Sequence, residues 1–216
     1  MIKYIIILFI IIIFYLIIIK IYYFNIIFNN KLYIKLNQID NYIKTGDIIL
    51  FRYNKINFIH ELVSPFTHIG IIILYNNKSY ILESHIKGDT LYLGYNNEGV
   101  NIYNLYDRLN KYEGTTFLLK LNQPLSNKSI NNLINNISKY KNIPYINNYK
   151  KYYFNKCINI FYNNQLQIND GMICSELISY ILQDINDNNI LNYKCIKPVD
   201  FLYNNLYEKQ FYKIIN

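Results

Sequence analysis

A long apolar run at the N-terminus constrains the fold of this chain more than any other feature. Every residue from Ile5 to Ile19 is apolar or aromatic, and Lys20 is the first charge after the run. A helix from Tyr4 to about Phe24, at about 1.5 Å per residue, reaches across the roughly 30 Å hydrocarbon core of a bilayer. Tyr22 and Tyr23 follow, and aromatic rings favour the membrane interface. We therefore expect an uncleaved transmembrane anchor over residues 1–28.

Two other interpretations of this run are disfavoured by its composition. A cleaved signal peptide needs small residues at the cleavage site, and no Ala, Gly or Ser precedes Thr45. A buried core helix normally has a polar face, which this run lacks. One lysine precedes the span and three follow it closely: Lys3, then Lys20, Lys31 and Lys35. This asymmetry predicts a single-pass protein whose following domain lies in the cytosol.

The formal charge of +8 comes almost entirely from lysine, because arginine occurs only at Arg52 and Arg108. A nucleic-acid-binding protein can have such a charge. The lysines are scattered and no nucleic-acid motif occurs, so no nucleic-acid partner is expected. Ile, Asn, Tyr and Lys dominate, whereas Ala and Trp are absent. This bias follows AT-rich codons and is typical of a virus or of an AT-rich parasite.

The cysteines and histidines do not form a metal site or a disulfide framework in the sequence. There are three of each, and the cysteines are Cys157, Cys174 and Cys195. None forms a CxxC pair, and the histidines are too scattered for zinc-ligand spacing. No cofactor is expected, and a cytosolic domain would keep its thiols reduced.

Beyond the anchor, the hydrophobic pattern predicts one α+β domain over residues 43–216, joined by an Asn- and Lys-rich linker over 29–42. The expected strands are Ile48–Arg52, His68–Tyr75, Ser79–His85 and Thr116–Leu121, with a hairpin turn at Asn76–Lys78. The expected helices are a turn over Asn57–Val63, then Ser126–Tyr140, Met172–Leu182 and Pro198–Asn205. Strands in the first half and helices in the second are typical of the α+β class.

Cys174 is the candidate nucleophile. It is expected in the first turn of the Met172–Leu182 helix, where the helix dipole and free backbone N–H groups stabilise a thiolate. The same N–H groups can donate to an oxyanion. A buried, inert cysteine is equally compatible with this position, because free cysteines are common in cores.

His68 and Glu83 are the candidate partners of Cys174. His68 opens an apolar strand, and Glu83 lies in the adjacent strand of the hairpin, where a carboxylate can orient an imidazole through its second nitrogen. An edge histidine and a solvent-facing glutamate are the alternative interpretations. His85 could replace Glu83 as the orienting residue, but two residues along the strand it only shares the same face. Otherwise, His60 and His85 are expected at the surface.

Five short motifs occur in a characteristic order along the chain. They are Gly46-Asp47-Ile48-Ile49, Thr67-His68-Ile69-Gly70-Ile71, Leu82-Glu83-Ser84, Ile143-Pro144-Tyr145 and Cys174-Ser175-Glu176-Leu177. Together they resemble the circularly permuted NlpC/p60-like hydrolases, a group that includes YiiX-type proteins and related poxvirus proteins. Lecithin:retinol acyltransferase belongs to the same wider group. In the permuted members the histidine precedes the cysteine, as it does here.

The resemblance implies a fold and a set of roles. The fold would be a permuted papain-like one, with a small antiparallel sheet or barrel packed on helices. Cys174 would be the nucleophile, His68 the base and Glu83 the orienting residue. Tyr145 would lie near the substrate cleft, and Asp47 would have a structural role.

The implied activity is cysteine-dependent hydrolysis of an amide bond, peptide or isopeptide-like, or of an ester. The acyltransferase branch has Asn before its cysteine and Glu-His after it, whereas Ile173 and Ser175-Glu176 flank Cys174 here. Two alternatives stay open: a lipid acyltransferase, and a catalytically silent membrane-tethered interaction protein on the same fold. Residues 88–114 and 150–170 match no motif and are expected to line the cleft, so the substrate is not predicted.

Overall fold

A computed structural model describes residues 2–28, 32–54, 64–85, 98–146, 171–185 and 196–216 of the chain. The strands are β1 (Tyr33–Lys35), β2 (Ile48–Tyr53), β3 (His68–Tyr75), β4 (Lys78–His85), β5 (Gly99–Asn104), β6 (Gly114–Leu121) and β7 (Tyr207–Ile215). The helices are α1 (Ile2–Phe28), α2 (Leu105–Asn110), α3 (Asn127–Asn135), α4 (Ile137–Lys141) and α5 (Cys174–Ile185), with 3-10 helices at Leu36–Asn41 and Pro198–Tyr203. The expected turn over Asn57–Val63, and His60, Cys157 and Cys195, lie outside the described residues.

The strands form one sheet in the order β1-β7-β6-β2-β3-β4-β5. Each described pair is antiparallel except β1 with β7, which is parallel. The sheet is therefore mixed rather than wholly antiparallel as expected. Phe51 of the central strand β2 lies opposite His68 of β3, and Glu83 of β4 lies opposite Asn101 of the edge strand β5.

Apolar side chains cover both faces of the central strands, which explains why β2 and β3 are nearly continuous runs of Ile, Leu and Phe. On one face, Ile69, Ile71 and Leu82 pack with Leu177 and Ile178 of α5. The other face has its own buried cluster, which includes Phe51, Ile72, Ile81 and two residues of α2, Leu105 and Leu109. The two layers hold α5 and α2 on opposite sides of the sheet.

The hairpin between β3 and β4 has the turn that its sequence predicts. Asn76 and Asn77 have positive φ angles of 50° and 57°. A two-residue turn of this kind matches the twist of antiparallel strands, and Asn tolerates the left-handed region better than most residues. The hairpin fixes the register between β3 and β4, and so the relation of His68 to Glu83.

The helices of the second half differ from expectation in two places. Ser126 caps α3 by accepting a hydrogen bond from the Ser129 N–H, as its position predicts. The helix α3 ends at Asn135, and α4 begins at Ile137 and runs to Lys141, so the single helix expected over Ser126–Tyr140 is divided at Asn136. Pro198 begins a 3-10 helix rather than an α-helix.

The segment 29–42, expected to be a linker, contributes structure to the domain where it is described. Its β1 strand pairs with β7, with Tyr33 opposite Lys213. Ile34, Leu36 and Ile39 are buried in the same cluster as Phe51. The domain therefore uses residues from Tyr33 onward.

Asp47 has the structural role that the resemblance implies. Its carboxylate accepts hydrogen bonds from the N–H groups of Lys44 and Leu121, both at 2.8 Å, and so links the start of β2 to the end of β6. Burial raises the pKa of Asp47 to about 6, although these two hydrogen bonds lower it.

Candidate active site

Cys174 is the first residue of α5, two residues later than the predicted start of this helix. It is a free, buried thiol and the only cysteine within the described residues. The neighbouring motif residues fix the start of the helix. Ser175 donates from Oγ to the Ile196 carbonyl at 2.5 Å, and the Glu176 carboxylate accepts from the Ile173 N–H at 3.4 Å. The motif thus anchors the helix end that carries the thiol.

The Ile143-Pro144-Tyr145 segment supports the chain just before Cys174. The Met172 N–H donates to the Pro144 carbonyl at 3.0 Å, and the Ser84 hydroxyl donates to the Met172 carbonyl at 3.3 Å. Gly171 has a φ of +87°, and a Cβ there would lie 2.8 Å from the Pro144 oxygen. Tyr145 is partly exposed directly after this contact. The Ile143-Pro144-Tyr145 segment and β4 therefore fix the position of Met172, just before the start of α5.

His68 is the first residue of β3, and 5% of its surface is exposed. Its Nε2 lies 2.6 Å from Oε2 of Glu83, and its ring packs at a centroid distance of 5.3 Å from that of Phe51. Burial lowers the pKa of His68, but the charge and hydrogen bond of Cys174, together with those of Glu83, raise it to about 9. The imidazole therefore interacts with both the thiol and the carboxylate.

Glu83 is fully buried and has a second partner, Arg108, whose role the sequence did not predict. Arg108 Nε donates to Oε1 at 2.8 Å, and Nη2 donates to Oε2 at 3.1 Å. Burial raises the pKa of Glu83, but Arg108 and His68 outweigh it and lower the pKa to about 2. The carboxylate facing His68 is thus held ionised at neutral pH.

One sequence signal could have identified Arg108. The chain has 22 Lys and Arg residues, and only Arg52 and Arg108 are arginine. If codon bias replaces most arginines with lysine, the arginines that remain are expected at positions where lysine cannot make the same contacts. Lysine is a point charge and cannot make the forked contact that a guanidinium makes with a carboxylate.

Gly70, in the His68 motif, leaves room for the Glu83 side chain. A Cβ at Gly70 would lie 2.6 Å from Ile81 Cδ1 and 2.8 Å from Glu83 Cγ. Because Glu83 is held by two donors, it cannot move aside without losing a contact.

We expect Gly70→Ala to lower the free energy of unfolding by about 1–3 kcal/mol and to slow alkylation of Cys174, because the new methyl group displaces Glu83. Thermal unfolding and site-resolved iodoacetamide labelling measure the two effects. Ile72→Val, two residues along the same strand face, is the matched control and should lose some stability while the labelling rate is kept. Unchanged labelling in a folded Gly70→Ala protein would contradict the packing argument.

His85 is buried, with 2% of its surface exposed, so its expected position at the surface is wrong. Its Nε2 forms a hydrogen bond with the Tyr103 hydroxyl of β5. The apolar layer on this face of the sheet extends over β5 and encloses the ring. Within the described residues, no group of three or more His, Cys, Asp or Glu side chains is arranged to hold a metal ion.

This arrangement has the parts of a nucleophilic acyl-transfer site. The thiol lies at a helix N-terminus, a position where backbone N–H groups can donate to an oxyanion. The imidazole between the thiol and the carboxylate can exchange a proton with either the sulfur or a leaving group.

Comparison with known proteins bears on the fold. Residues 42–209 match the family described as permuted papain-like amidase enzyme, YaeF/YiiX, C92 family. A crystal structure of metalloprotein YiiX from Escherichia coli O157:H7 is similar at 18% identity, with a TM-score of 0.47 and coverage of 68% of each chain. No curated protein sequence matches the chain. Because the family match covers well over half of the 216 residues, the permuted papain-like fold is confirmed, and the chain belongs to the permuted papain-like amidase family.

Proposed function

We propose that this protein is a membrane-anchored cysteine hydrolase that cleaves an amide bond through Cys174, His68 and Glu83. The observation that carries the proposal is the buried contact of 2.6 Å between His68 Nε2 and Glu83 Oε2. It leaves Nδ1 as the ring nitrogen for the sulfur of Cys174, whose charge and hydrogen bond act on the same imidazole.

The reaction proceeds in two steps. The Cys174 thiolate attacks the carbonyl carbon, and N–H groups at the start of α5 stabilise the oxyanion. The His68 imidazolium donates its proton to the leaving nitrogen, and the C–N bond breaks to give a thioester. His68 then takes a proton from water, which attacks the thioester; the C–S bond breaks and releases the carboxylic acid and the Cys174 thiolate, which restores the starting state with His68 as the imidazolium.

Glu83 supports both steps by holding the ring. Because its carboxylate stays ionised, it accepts a hydrogen bond from the Nε2–H group and stabilises the imidazolium. His68 can then supply its Nδ1 proton to the leaving group without turning in its pocket.

The bond is an amide, in a peptide or an isopeptide-like linkage. The family is one of amidases, and the residues around Cys174 differ from the acyltransferase motif. A membrane location also brings lipid esters within reach, so an ester is the second substrate class to test.

The anchor is α1. Its stretch from Tyr4 to Tyr22 has a mean hydropathy of 3.1, and none of it is buried against the protein. These 19 residues extend about 28 Å as a helix, close to the hydrocarbon thickness of a bilayer. A signal sequence shares these properties, but this one lacks the small residues that cleavage requires. The lysine asymmetry places the hydrolase domain in the cytosol.

Labelling of the full-length protein in detergent micelles tests the proposed nucleophile. A peptidyl acyloxymethyl ketone, which alkylates activated cysteines, is expected to modify Cys174, and Cys174→Ala should lose the label entirely. Cys157→Ala and Cys195→Ala are the matched controls and should keep it. Peptide-amide and lipid-ester substrates then distinguish the two bond classes. Failure to label Cys174, or equal labelling of Cys174→Ala, would refute a nucleophilic Cys174.

A further inference from the structure

We infer that Arg108 is a positioning residue for this reaction, acting through Glu83 to keep the proton on His68 beside Cys174. This inference rests on the proposed function. It adds a fourth residue to the three that the motifs indicate, from a helix that no motif includes.

The guanidinium holds both oxygens of Glu83. Arg108 donates a hydrogen bond from Nε to Oε1 at 2.8 Å and another from Nη2 to Oε2 at 3.1 Å. Oε2 is also the oxygen that lies 2.6 Å from His68 Nε2. A carboxylate that is hydrogen-bonded at both oxygens cannot rotate freely, so Oε2 faces the histidine in one fixed direction.

The charge of Arg108 is needed because the carboxylate of Glu83 is buried. Glu83 is fully buried, and Arg108 is 1% exposed. A carboxylate in such a place without a cation takes up a proton. A protonated Glu83 would no longer stabilise the imidazolium, and His68 would lose its proton more readily. Arg108 thus balances the charge of Glu83, and the ionised Glu83 in turn stabilises the protonated form of His68.

Aromatic packing holds Arg108 in place. The Phe51 ring centroid lies 4.5 Å from its Cζ, and the Tyr112 centroid lies 5.3 Å away. Phe51 also packs against the His68 ring. At the start of α2, the Asn104 side chain caps the helix by accepting from the Asp107 N–H at 3.1 Å. The guanidinium is therefore stacked and fixed before any substrate arrives.

Other polar groups on this sheet face include Thr116 of β6, which lies opposite Phe51, and residues of β4 and β5. His85 is bonded to Tyr103, and the Asn101 amide donates to the Gly99 carbonyl at 3.2 Å. The charges that act on Glu83 are those of Arg108 and His68. A pH dependence that changes on substitution of Arg108 therefore reports on this chain of contacts.

A double-mutant cycle between Arg108 and Glu83 tests the inference. The variants are Arg108→Lys, Glu83→Gln and the double variant, each as the full chain in detergent micelles. Arg52→Lys, at the only other arginine, is the matched control. The readout is the rate of iodoacetamide alkylation at Cys174, followed by mass spectrometry from about pH 5 to about pH 9.

Arg108→Lys is expected to slow alkylation about tenfold at about pH 6, because the lysine leaves one carboxylate oxygen without its donor. Glu83→Gln should slow it at least as much, and the double variant should be no slower than Glu83→Gln alone. Arg52→Lys should match the unmodified protein.

Two results would overturn the inference. One is an Arg108→Lys rate equal to that of the unmodified protein. The other is a double variant whose alkylation rate is reduced by the product of the two single fold-reductions. Arg108 would then act independently of Glu83. If Cys174 of the unmodified protein shows no enhanced reactivity, the proposed function itself fails, and the two failures are distinct. Lysine retains the charge and the apolar stem, so the fold should persist in this variant, which circular dichroism checks.

Discussion

Replacing His68 with alanine is expected to slow alkylation of Cys174 at about pH 6 by roughly 100-fold and to abolish hydrolysis. The imidazolium is the positive charge that stabilises the thiolate, and it is also the proton donor to the leaving group. Glu83 keeps its pairing with Arg108 in this variant, so no buried charge is left without a partner. Mass spectrometry of iodoacetamide adducts and a peptide-amide assay measure the two losses.

The same substitution should also change how the stability of the folded protein depends on pH. The pKa of His68 is raised from 6.5 to about 9, so protonation of His68 stabilises the folded state. This contribution is complete at pH values below the pKa of the residue in the unfolded chain. That contribution is lost as the pH rises through about 9. The stability of the His68→Ala protein should therefore not fall over this pH range. The His85→Gln protein, which keeps a partner for Tyr103, should still show the fall. A Cys174 labelling rate that does not respond to His68→Ala would show that no activated pair exists.

Removing residues 1–42 is expected to unfold the domain, whereas removing residues 1–28 should leave it folded. The longer deletion takes away β1 and three buried side chains, those of Ile34, Leu36 and Ile39. Each contributes about 1.5–3 kcal/mol, so their sum approaches the whole stability of a typical domain, about 5–15 kcal/mol. The shorter deletion removes only α1.

Thermal unfolding of the two truncated proteins, followed by circular dichroism, decides the question. A cooperative transition is expected for the protein that begins at residue 29, and none for the one that begins at residue 43. If the shorter deletion also unfolds the domain, α1 is part of the folded core and the proposed membrane anchor is wrong. If the longer deletion is harmless, β1 contributes nothing to the sheet.

The parts of the fold that the sequence predicts are those with a strong local pattern. β3 is predicted to the residue, because eight apolar or motif residues end at an Asn-Asn turn that has one preferred geometry. α5 and the Ser126 cap likewise follow from local signals. The contact between His68 and Glu83 is within reach of the sequence because a single hairpin joins them.

The parts that the sequence does not predict depend on distant contacts. The buried residues of β7, namely Tyr207, Phe211 and Ile214, are spaced by four and three positions, which resembles a helix more than a strand. A register shift against β6 between Leu119 and Leu121 accompanies this spacing. Arg108 was missed because its partner lies 25 positions away and no motif includes it. The viral source and the cytosolic orientation of the domain stay predictions.

The place of β7 between β1 and β6 has a consequence for the order in which the molecule assembles. Tyr33 and Lys213 are neighbours in space but about 180 residues apart in sequence. The entropy of closing so long a loop opposes early pairing, and sheets rich in such contacts fold slowly. β1 has no strand to join until β7 has docked on β6. The residues nearest the N-terminal helix should therefore be the last of the domain to become protected from hydrogen exchange during refolding.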